Sequence, residues 1–439
     1  MGFGQGVSAL NASAANLDVI GNNIANSGTV GFKSGSVQFS DVYAGSRVGL
    51  GTQVAGVSQN FTQGAVQSST RALDVAITNG DGFFRLASPG GEISYSRNGQ
   101  FNVDKNGFLV NAAGLQLTGF QVGANGKIAG GSPTALQLPT AGMAPNATTA
   151  IAAKFNIDSR DATSPIPTKT PFNANDSETY NYSNAVTIYD SLGNSHDLTT
   201  FFVKTAPNTW ATYATADGWP LDAGGKAVAS VPAGNEFKAG GVPASGGAAL
   251  TTGAIGFDGN GRMLVDAAGI PTTPVGGKIT FAALDFGNGS LAMKFDMDIT
   301  GTTQYGDVNN VNKLTQDGFT SGVLTSYAIN QDGTVTGKYS NEQTNTLGQI
   351  VLSSFINPNG LQPKGNNVWA ETSASGQPLT GTPGSGTKLG ALTSGALESS
   401  NVDLTAELVN LIIAQRTYQA NSQTVKTQDQ VMQTLINMR

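Results

Sequence analysis

The sequence predicts a mainly β protein with a long α-helix at each end of the chain. The two terminal helices are expected to pair in a coiled-coil-like layer, while the chain between them runs out through two β-rich domains and back. Three observations predict this class. Apolar residues recur at alternating steps of four and three at both ends, short alternating runs broken by turns fill the middle, and 58 of the 439 residues are Gly, about twice the usual share.

The N-terminal helix is predicted from heptad spacing of apolar positions. These positions are Phe3, Val7, Leu10, Ala14, Leu17, Gly21 and Ile24. The same segment carries Asn22, Asn23 and Asn26, and Asn and Gly are poor helix formers. Gly28 is expected to follow the end of the helix. The helix should therefore be marginal alone, and its Asn side chains could fix the register of a helix bundle.

The C-terminal helix is predicted from the same spacing. The positions are Leu404, Leu408, Leu411, Gln415, Tyr418, Ser422, Val425, Asp429, Met432 and Ile436. No Gly or Pro occurs from Val402 to Arg439, so one long helix is expected. Ser400 with Asp403 resembles a capping box at its start.

Both helices are expected to need partners, first each other and then neighbouring subunits, because few large apolar side chains would offset the cost of ordering so much backbone. The alternative is that they are ordinary amphipathic helices packed on the protein's own core. The predicted assembly interface comprises Phe3, Val7, Leu10, Leu17, Asn22, Asn23, Ile24, Asn26, Leu404, Leu408, Leu411, Tyr418 and Val425.

The middle of the chain predicts strands and tight turns. LDVAITNGDGFFRL predicts a strand, a turn and a strand, and Asn106-Gly107 predicts a hairpin turn. Composition predicts a surface loop at 231–250 and a linker from Ser373 to Gly390. The predicted divisions are a terminal helical assembly domain (1–32 and 400–439), extended connecting segments (33–70 and 373–399), one β-domain (71–145 and 298–372) and a second, inserted β-domain (146–297).

Little in the sequence indicates chemistry. There is no Cys, and the only histidine, His196, lies between Ser195 and Asp197, where neighbours on a strand would point to opposite faces. Three Asp-containing turns resemble calcium loops faintly, but hairpin turns explain them better. We therefore predict no catalytic residue, metal site or cofactor. The net charge of −6 and the absence of a long apolar run argue against nucleic acid and membrane insertion.

Four motifs occur in an order that resembles one family. They are NLDVIGNNIANSGTVGFKSG, LDVAITNGDGFFRL, YSRNGQFNVDKNGFLVNAAGLQLTGF and ESSNVDLTAELVNLIIAQRTYQANSQTVKTQDQVMQTLINMR. The chain thereby resembles the bacterial flagellar rod and hook proteins. Its first residues, the large insertion and NAVTIYDSLGNSHDLTTFFVK are most similar to the hook members.

The resemblance implies a structural subunit without enzymatic activity that self-assembles into a curved, flexible tube. The tube would transmit motor torque from rod to filament, outside the cell. By resemblance the terminal helices form its inner layer around the central channel. The inner β-domain (71–145 and 298–372) forms the middle layer, and the insertion lies outermost. Expected partners are further copies of the chain, the distal rod, the hook cap, the hook–filament junction protein and the flagellar type III export apparatus. The N-terminus lacks the basic and apolar regions of a secretory signal, so the chain is expected to be either cytosolic or exported by another route. The resemblance implies the second, export without a cleaved signal peptide.

Three alternatives compete with this prediction. A distal rod protein of the same family would form a straight, rigid polymer. An exported β-rich enzyme such as a glycosidase would act on polysaccharides and use its helical ends for anchoring. A secreted adhesin would bind its ligand as a monomer.

Overall fold

The computed structural model describes residues 3–42, 51–123, 126–139, 141–161, 172–221, 254–266, 269–274, 276–384 and 388–437. The surface loop predicted at 231–250 lies outside these residues. In the described part, strands predominate and one long helix lies at each end, so the predicted fold class is confirmed.

The elements follow one another in a simple order. The chain begins with α1 (Phe3–Ala25), β1 (Gly35–Asp41), β2 (Thr52–Gln59), β3 (Val66–Ser68), β4 (Val75–Thr78), β5 (Phe83–Ala87), β6 (Ile93–Ser96), β7 (Asn102–Val103), β8 (Leu109–Val110), β9 (Gln116–Gln121) and β10 (Thr134–Ala135). It continues with β11 (Ala150–Asn156), β12 (Tyr182–Tyr189), β13 (Ser195–Ala206), β14 (Thr209–Ala216), β15 (Trp219–Pro220), β16 (Ile255–Gly256), β17 (Lys278–Leu284), β18 (Met293–Asp298) and β19 (Asn310–Gln316). It returns through β20 (Leu324–Ile329), β21 (Thr334–Tyr339), β22 (Thr344–Ile350), β23 (Leu352–Ser354), β24 (Gln362–Gly365), β25 (Val368–Ala370), β26 (Leu379–Gly381), β27 (Ala391–Ser394), β28 (Ala396–Glu398) and α2 (Leu404–Asn437).

The chain divides into two compact units. The first comprises residues 1–141 and 324–439, and the second comprises residues 142–323. The predicted insertion ends at residue 297, whereas the second unit extends to Val323. The difference arises because β19 pairs antiparallel with β11, from Ile151 opposite Gln316 to Asn156 opposite Asn310. Pairing between strands so distant in sequence is not visible in local periodicity.

The first unit is built on one extended sheet. Its central path runs β20-β21-β22-β9-β5-β6-β25-β24 within the described residues. On this sheet Phe83, Tyr95, Phe355 and Trp369 pack as an aromatic core with edge-to-face rings. Phe61, which follows β2, packs against both Phe83 and Trp369. The segment after the β1–β2 hairpin is thereby held on the β core.

The second unit has its own core. Strands β17, β18, β11 and β19 form one sheet, and β12 to β15 with β16 form another, in the part of the chain described. Apolar side chains alternate inward along these strands, as sheets buried on one face require. Trp210 is fully buried among them, and its Nε1 donates to Gln304 Oε1 at 2.9 Å. The unit therefore carries its own hydrophobic core.

The predicted turns are confirmed where the structure describes them. Gly107 lies between β7 and β8 with a φ of 86°, and Asp104 Oδ1 accepts from the backbone N–H groups of Asn106 and Phe108. Asp258 closes its turn in the same way, accepting from Asn260 and Arg262. These carboxylates are occupied by backbone donors, so the calcium-like stretches are hairpin turns.

The stretch from Ser373 to Gly390 is more ordered than its linker-like composition predicted. Leu379–Gly381 forms β26 and pairs with β23, and Ser375 is fully buried. Backbone hydrogen bonds hold this segment, and they do not depend on apolar side chains. The prediction of a linker was therefore wrong for the residues described.

Candidate assembly site

The two terminal helices pack against each other in antiparallel orientation. Asn23 near the end of α1 donates from Nδ2 to Glu407 Oε1 at 3.3 Å, near the start of α2. Further along, Asn421 Nδ2 donates to Ser13 Oγ at 3.3 Å. A Cβ placed on Gly6 would lie 2.8 Å from Val425 Cγ2, so the helices approach closely there. The predicted pairing of the terminal helices is confirmed.

The face of α1 that lies against the rest of the chain differs from the predicted stripe. Its buried positions are Gly6, Ala12, Ile20 and Asn23, and none of them belongs to that stripe. Gly6, Ile20 and Asn23 each precede a predicted position by one residue, whereas Ala12 lies two residues from the nearest one. Heptad spacing of apolar residues did not predict this face, because small and polar side chains contribute to close helix contact as well.

The predicted interface residues fall into three groups. Val7, Asn22, Leu404 and Leu408 are exposed in the single chain. Half-buried positions are Leu10, Leu17, Ile24, Asn26, Leu411, Tyr418 and Val425, and Asn23 is buried. The side chain of Phe3 lies outside the described residues. On α2, the predicted positions Leu411, Tyr418 and Val425 are half-buried. At the alternating heptad position, the less exposed residues are Glu407, Ala414 and Asn421, each one residue before the predicted one.

A cavity of about 630 Å³ lies between the helix pair and the β1–β2 hairpin. Small and polar side chains line much of it, among them Ala9, Ser13, Asn16, Ala414 and Asn421. Its walls come from three elements of the first unit. The helix pair is therefore incompletely filled in the single chain.

Asn23 connects α1 to the hairpin. Its side-chain amide pairs with the backbone of Gly35 in both directions, since Nδ2 donates to Gly35 O at 2.8 Å and Oδ1 accepts from Gly35 N at 2.9 Å. The side chain thus replaces a strand partner at the start of β1. Its low helix propensity is offset by these bonds, which sequence periodicity could not reveal.

Asn22 and Asn26 end α1. Asn26 Nδ2 donates to Asn22 O at 3.0 Å and to Asn22 Oδ1 at 2.9 Å. The helix ends at Ala25, and the left-handed glycine is Gly31 instead of Gly28. The prediction of Gly28 as the C′ residue was wrong, because Asn26 and Ser27, and not a left-handed glycine, bond the carbonyl groups of Asn22 and Ile24.

Asp403 caps α2. Its Oδ1 accepts from the N–H groups of Thr405 and Ala406 at 2.9 and 3.1 Å. Ser400 Oγ accepts from Val402 N, ahead of the helix. The predicted capping box is wrong in detail, since Asp403 itself is the N-cap.

A buried ionic group lies between the helices and the β core. Glu398 Oε1 accepts from Lys33 Nζ at 2.6 Å, and Glu398 Oε2 lies 3.4 Å from Arg97 Nη1. We call these three residues the Glu398 cluster. Burial lowers the pKa of both Lys33 and Arg97, and the charge of Glu398 opposes that shift. Sequence reasoning missed this group, because its members are far apart in the chain and have no shared spacing.

The first turns of α2 expose a broad apolar surface. Their exposed large side chains are Leu404, Leu408, Val409, Ile412 and Ile413. The side that carries Glu407 lies against α1, where Asn23 donates to the carboxylate. An exposed apolar surface of this kind normally marks contact with other protein.

His196 lies on β13 in the second unit, as a strand residue. Its Nδ1 is 2.7 Å from Asp217 Oδ2 and its Nε2 is 3.3 Å from Asp190 Oδ2, while its ring stacks on Phe286. Burial acts to lower the pKa of His196, but Asp217 and then Asp190 outweigh it and raise that pKa. No nucleophile adjoins the imidazole in these contacts, so the arrangement ties turns together.

The described residues offer no other chemical centre. No group of three His, Asp or Glu side chains within them could hold a metal ion. Neither described helix is long and apolar enough to cross a membrane.

Comparison with known proteins gives four family matches. They are the flagella basal body rod protein model at residues 5–33, the flagellar hook protein FlgE/F/G D1 domain at 76–159, the flagellar basal body protein FlaE D2 domain at 156–319 and the flagellar basal body rod FlgEFG protein C-terminal model at 393–438.

Similar proteins match over their whole length. The flagellar hook protein FlgE of Salmonella typhimurium is 47% identical over 443 residues, covering 100% of both chains. That of Escherichia coli K12 is 46% identical over 444 residues, again covering 100% of both. The flagellar hook protein FlgE of Borreliella burgdorferi is 32% identical over 470 residues, covering 99% of this chain and 98% of that one.

The fold and the matches define a structural protein of the bacterial flagellum and not an enzyme. The chain belongs to the flagellar hook protein FlgE family, and it is a structural subunit of the hook. The distal rod alternative is not favoured, because the full-length relatives are hook proteins.

Proposed function

We propose that the subunit polymerises through its terminal helices, and that the polymer is a curved, flexible tube carrying torque from rod to filament. The observation that carries this proposal is the broad exposed apolar surface on the first turns of α2. Neighbouring copies would cover Leu404, Leu408 and Ile412, burying apolar surface that the single chain leaves in water.

The unfilled cavity supports the same proposal. Its lining joins α1, α2 and the β1–β2 hairpin, so side chains from a neighbour could complete the packing. In the proposed tube the terminal helices form the inner layer around a central channel, and the inserted unit lies outermost. The predicted interface residues, including Phe3, Val7, Leu10 and Leu17, would contact neighbouring helices.

Further flagellar components are proposed as partners. The ends of the tube would meet the distal rod, the hook cap and the hook–filament junction protein. The flagellar type III export apparatus would deliver the chain without a cleaved signal peptide. The relatives' names support a flagellar setting for these partners.

The substitution Leu408→Asp tests the proposal. Leu408 is 44% exposed in the single chain, so the monomer should fold normally. A charge placed in an apolar contact is strongly unfavourable, and the concentration needed for polymerisation should rise by about 100-fold or more. Sedimentation and negative-stain electron microscopy of concentrated protein measure this.

The matched control is Leu408→Met, which keeps the apolar character and volume. It should form curved tubes at nearly the normal concentration. Normal tubes from Leu408→Asp would contradict the proposed contact. Straight tubes from the unaltered chain would contradict the curved form while leaving polymerisation intact.

A further inference from the structure

The Glu398 cluster joins three distant parts of the chain. Lys33 follows α1, Arg97 follows β6 on the β core, and Glu398 ends β28 just before α2. The three side chains are 0%, 3% and 1% exposed. Lys33 Nζ also donates to the carbonyl of Thr62 at 2.7 Å. The carboxylate therefore lies where both terminal segments meet the β core.

Glu398 is the carboxylate that pairs with both buried cations, and the charge of Asp81 also acts on Arg97. Arg97 Nε has no hydrogen-bond partner among the described residues. Removing the charge of Glu398 would leave two buried cations without their ion-pair partner, whereas removing Lys33 would leave the Glu398–Arg97 pair. Leaving a buried charge uncompensated is far more costly than removing a balanced pair.

Two glycines bring the terminal segments against the same residues. Gly31, with a φ of +71°, donates from its N–H to Glu398 O at 2.8 Å, and a Cβ there would lie 2.7 Å from Asn98 N. Gly64 donates to Glu398 Oε1 at 2.9 Å, and its Cβ would lie 2.1 Å from Ser399 O. No side chain larger than hydrogen fits at either position without displacing backbone.

Asn401 extends the connection toward α2. Its Oδ1 accepts from Ser34 N at 2.8 Å, and its Nδ2 donates to Asn60 O at 2.7 Å. The residues just before α2 are therefore bonded along the segment that follows α1. Each terminal segment supplies the other's hydrogen-bond partners.

We infer that Glu398 couples the ordering of the two terminal segments, so that the segment after α1 and the segment before α2 become seated on the β core together or not at all. One carboxylate neutralises a cation from the N-terminal segment and a cation from the β core. Until residue 398 is in place, both cations lack the carboxylate with which they form ion pairs. This coupling is a property of the single chain and holds independently of the proposed polymer.

Hydrogen–deuterium exchange of the full-length monomer tests the inference in Glu398→Gln, which keeps an oxygen acceptor but removes the charge. Exchange should accelerate by about 100-fold or more in residues 28–41 and 396–407 together. Lys33→Met should accelerate exchange much less in both segments. Glu92→Gln, which removes an exposed carboxylate paired with Lys364, should change neither.

Opening of only one segment in Glu398→Gln would overturn the inference. So would an effect of Lys33→Met as large as that of Glu398→Gln, since that result indicates packing instead of charge. Exchange within residues 142–323 reports whether the rest of the chain is folded. If Glu398→Gln unfolds the whole chain, Glu398→Asp takes its place, since it keeps the charge but shortens the side chain. Faster exchange in both segments together would then support the coupling. Faster exchange in one segment alone would overturn it.

Discussion

The side chain of Asn23 hydrogen-bonds to Gly35 in the way that the backbone of a neighbouring strand would. Its amide makes the paired hydrogen bonds that a neighbouring strand would make with Gly35, and it also reaches Glu407 on α2. Because the side chain is buried, each of these groups would be costly to leave unpaired. One residue therefore fixes the end of α1, the start of β1 and the start of α2 relative to one another.

His196 makes a pH dependence testable at the scale of a single residue. Both ring nitrogens face carboxylates, Asp217 and Asp190, so the doubly protonated ring satisfies both. Its pKa is raised in the folded chain. His196 therefore stabilises the fold fully below the pKa of a histidine in the unfolded chain, about 6.5. This stabilisation is lost as the pH rises through the higher pKa of His196 in the folded chain.

The thermal midpoint of the second unit should fall by a few degrees between pH 6 and pH 9 in the unaltered chain. The variant His196→Gln cannot titrate in this range, so its thermal midpoint should fall less steeply with pH. Calorimetry or the fluorescence of buried Trp210 measures the midpoint in the full chain. Equal slopes in the two proteins would show that the imidazolium does not stabilise the fold.

The helix pair shows how an element can present two different faces. On α1 the predicted apolar stripe, with Val7, Leu10 and Leu17, remains partly exposed, while Gly6 and Ile20 are buried on another face. Heptad spacing located the helix and its amphipathic character. Which face of α1 packs against α2 depends on how closely the two helix axes approach each other. The missing side chain at Gly6 allows a close approach.

Two glycine substitutions distinguish the effect of helix propensity on the stability of α1 from the effect of close contact with α2. Gly21→Ala meets no atom within 4 Å and should stabilise α1 by about 0.5–1 kcal/mol. Gly6→Ala gains the same propensity but places its Cβ 2.8 Å from Val425 Cγ2, so it should stabilise less or destabilise. Amide exchange along α1 and α2 measures both.

The companion variant Gly6→Ala with Val425→Ala removes the clash. It should recover helix protection relative to Gly6→Ala alone. Equal gains from Gly6→Ala and Gly21→Ala would contradict the close contact between the helices.

At the scale of the whole molecule, the second unit is inserted into the first. The ends of the insertion are adjacent, since Met143 and Gly322 form a bridge between antiparallel segments. Such neighbours lie about 5 Å apart. The first unit can therefore be closed by a short connection in place of residues 142–323.

Replacing residues 142–323 with a short Gly-rich linker should leave the first unit folded. Its amide-exchange protection in 1–141 and 324–439 should match that of the full chain, because each unit has its own core. The matched deletion of 146–297 removes β11 but leaves its partner β19. That variant should expose an unpaired strand edge and aggregate. Equal behaviour of the two deletions would contradict the boundary at Val323.

The sequence by itself determined the fold class, the two terminal helices, the turns at Asn106-Gly107 and Asp258, and the family. These are local features, set by side-chain period, turn chemistry and contiguous motifs. The apolar residues of α2 were also evident from the sequence. Local interactions suffice because each of these features is specified within a short stretch of chain.

Only the tertiary structure decided which of these parts meet. It paired β4 with β27 and β11 with β19, placed Asn23 on Gly35, and brought Lys33 and Arg97 to Glu398. These contacts join residues far apart in sequence, and backbone pairing and buried charge carry no periodic signal along the chain. Their partners are chosen by packing geometry and by the cost of leaving a buried charge or polar group alone.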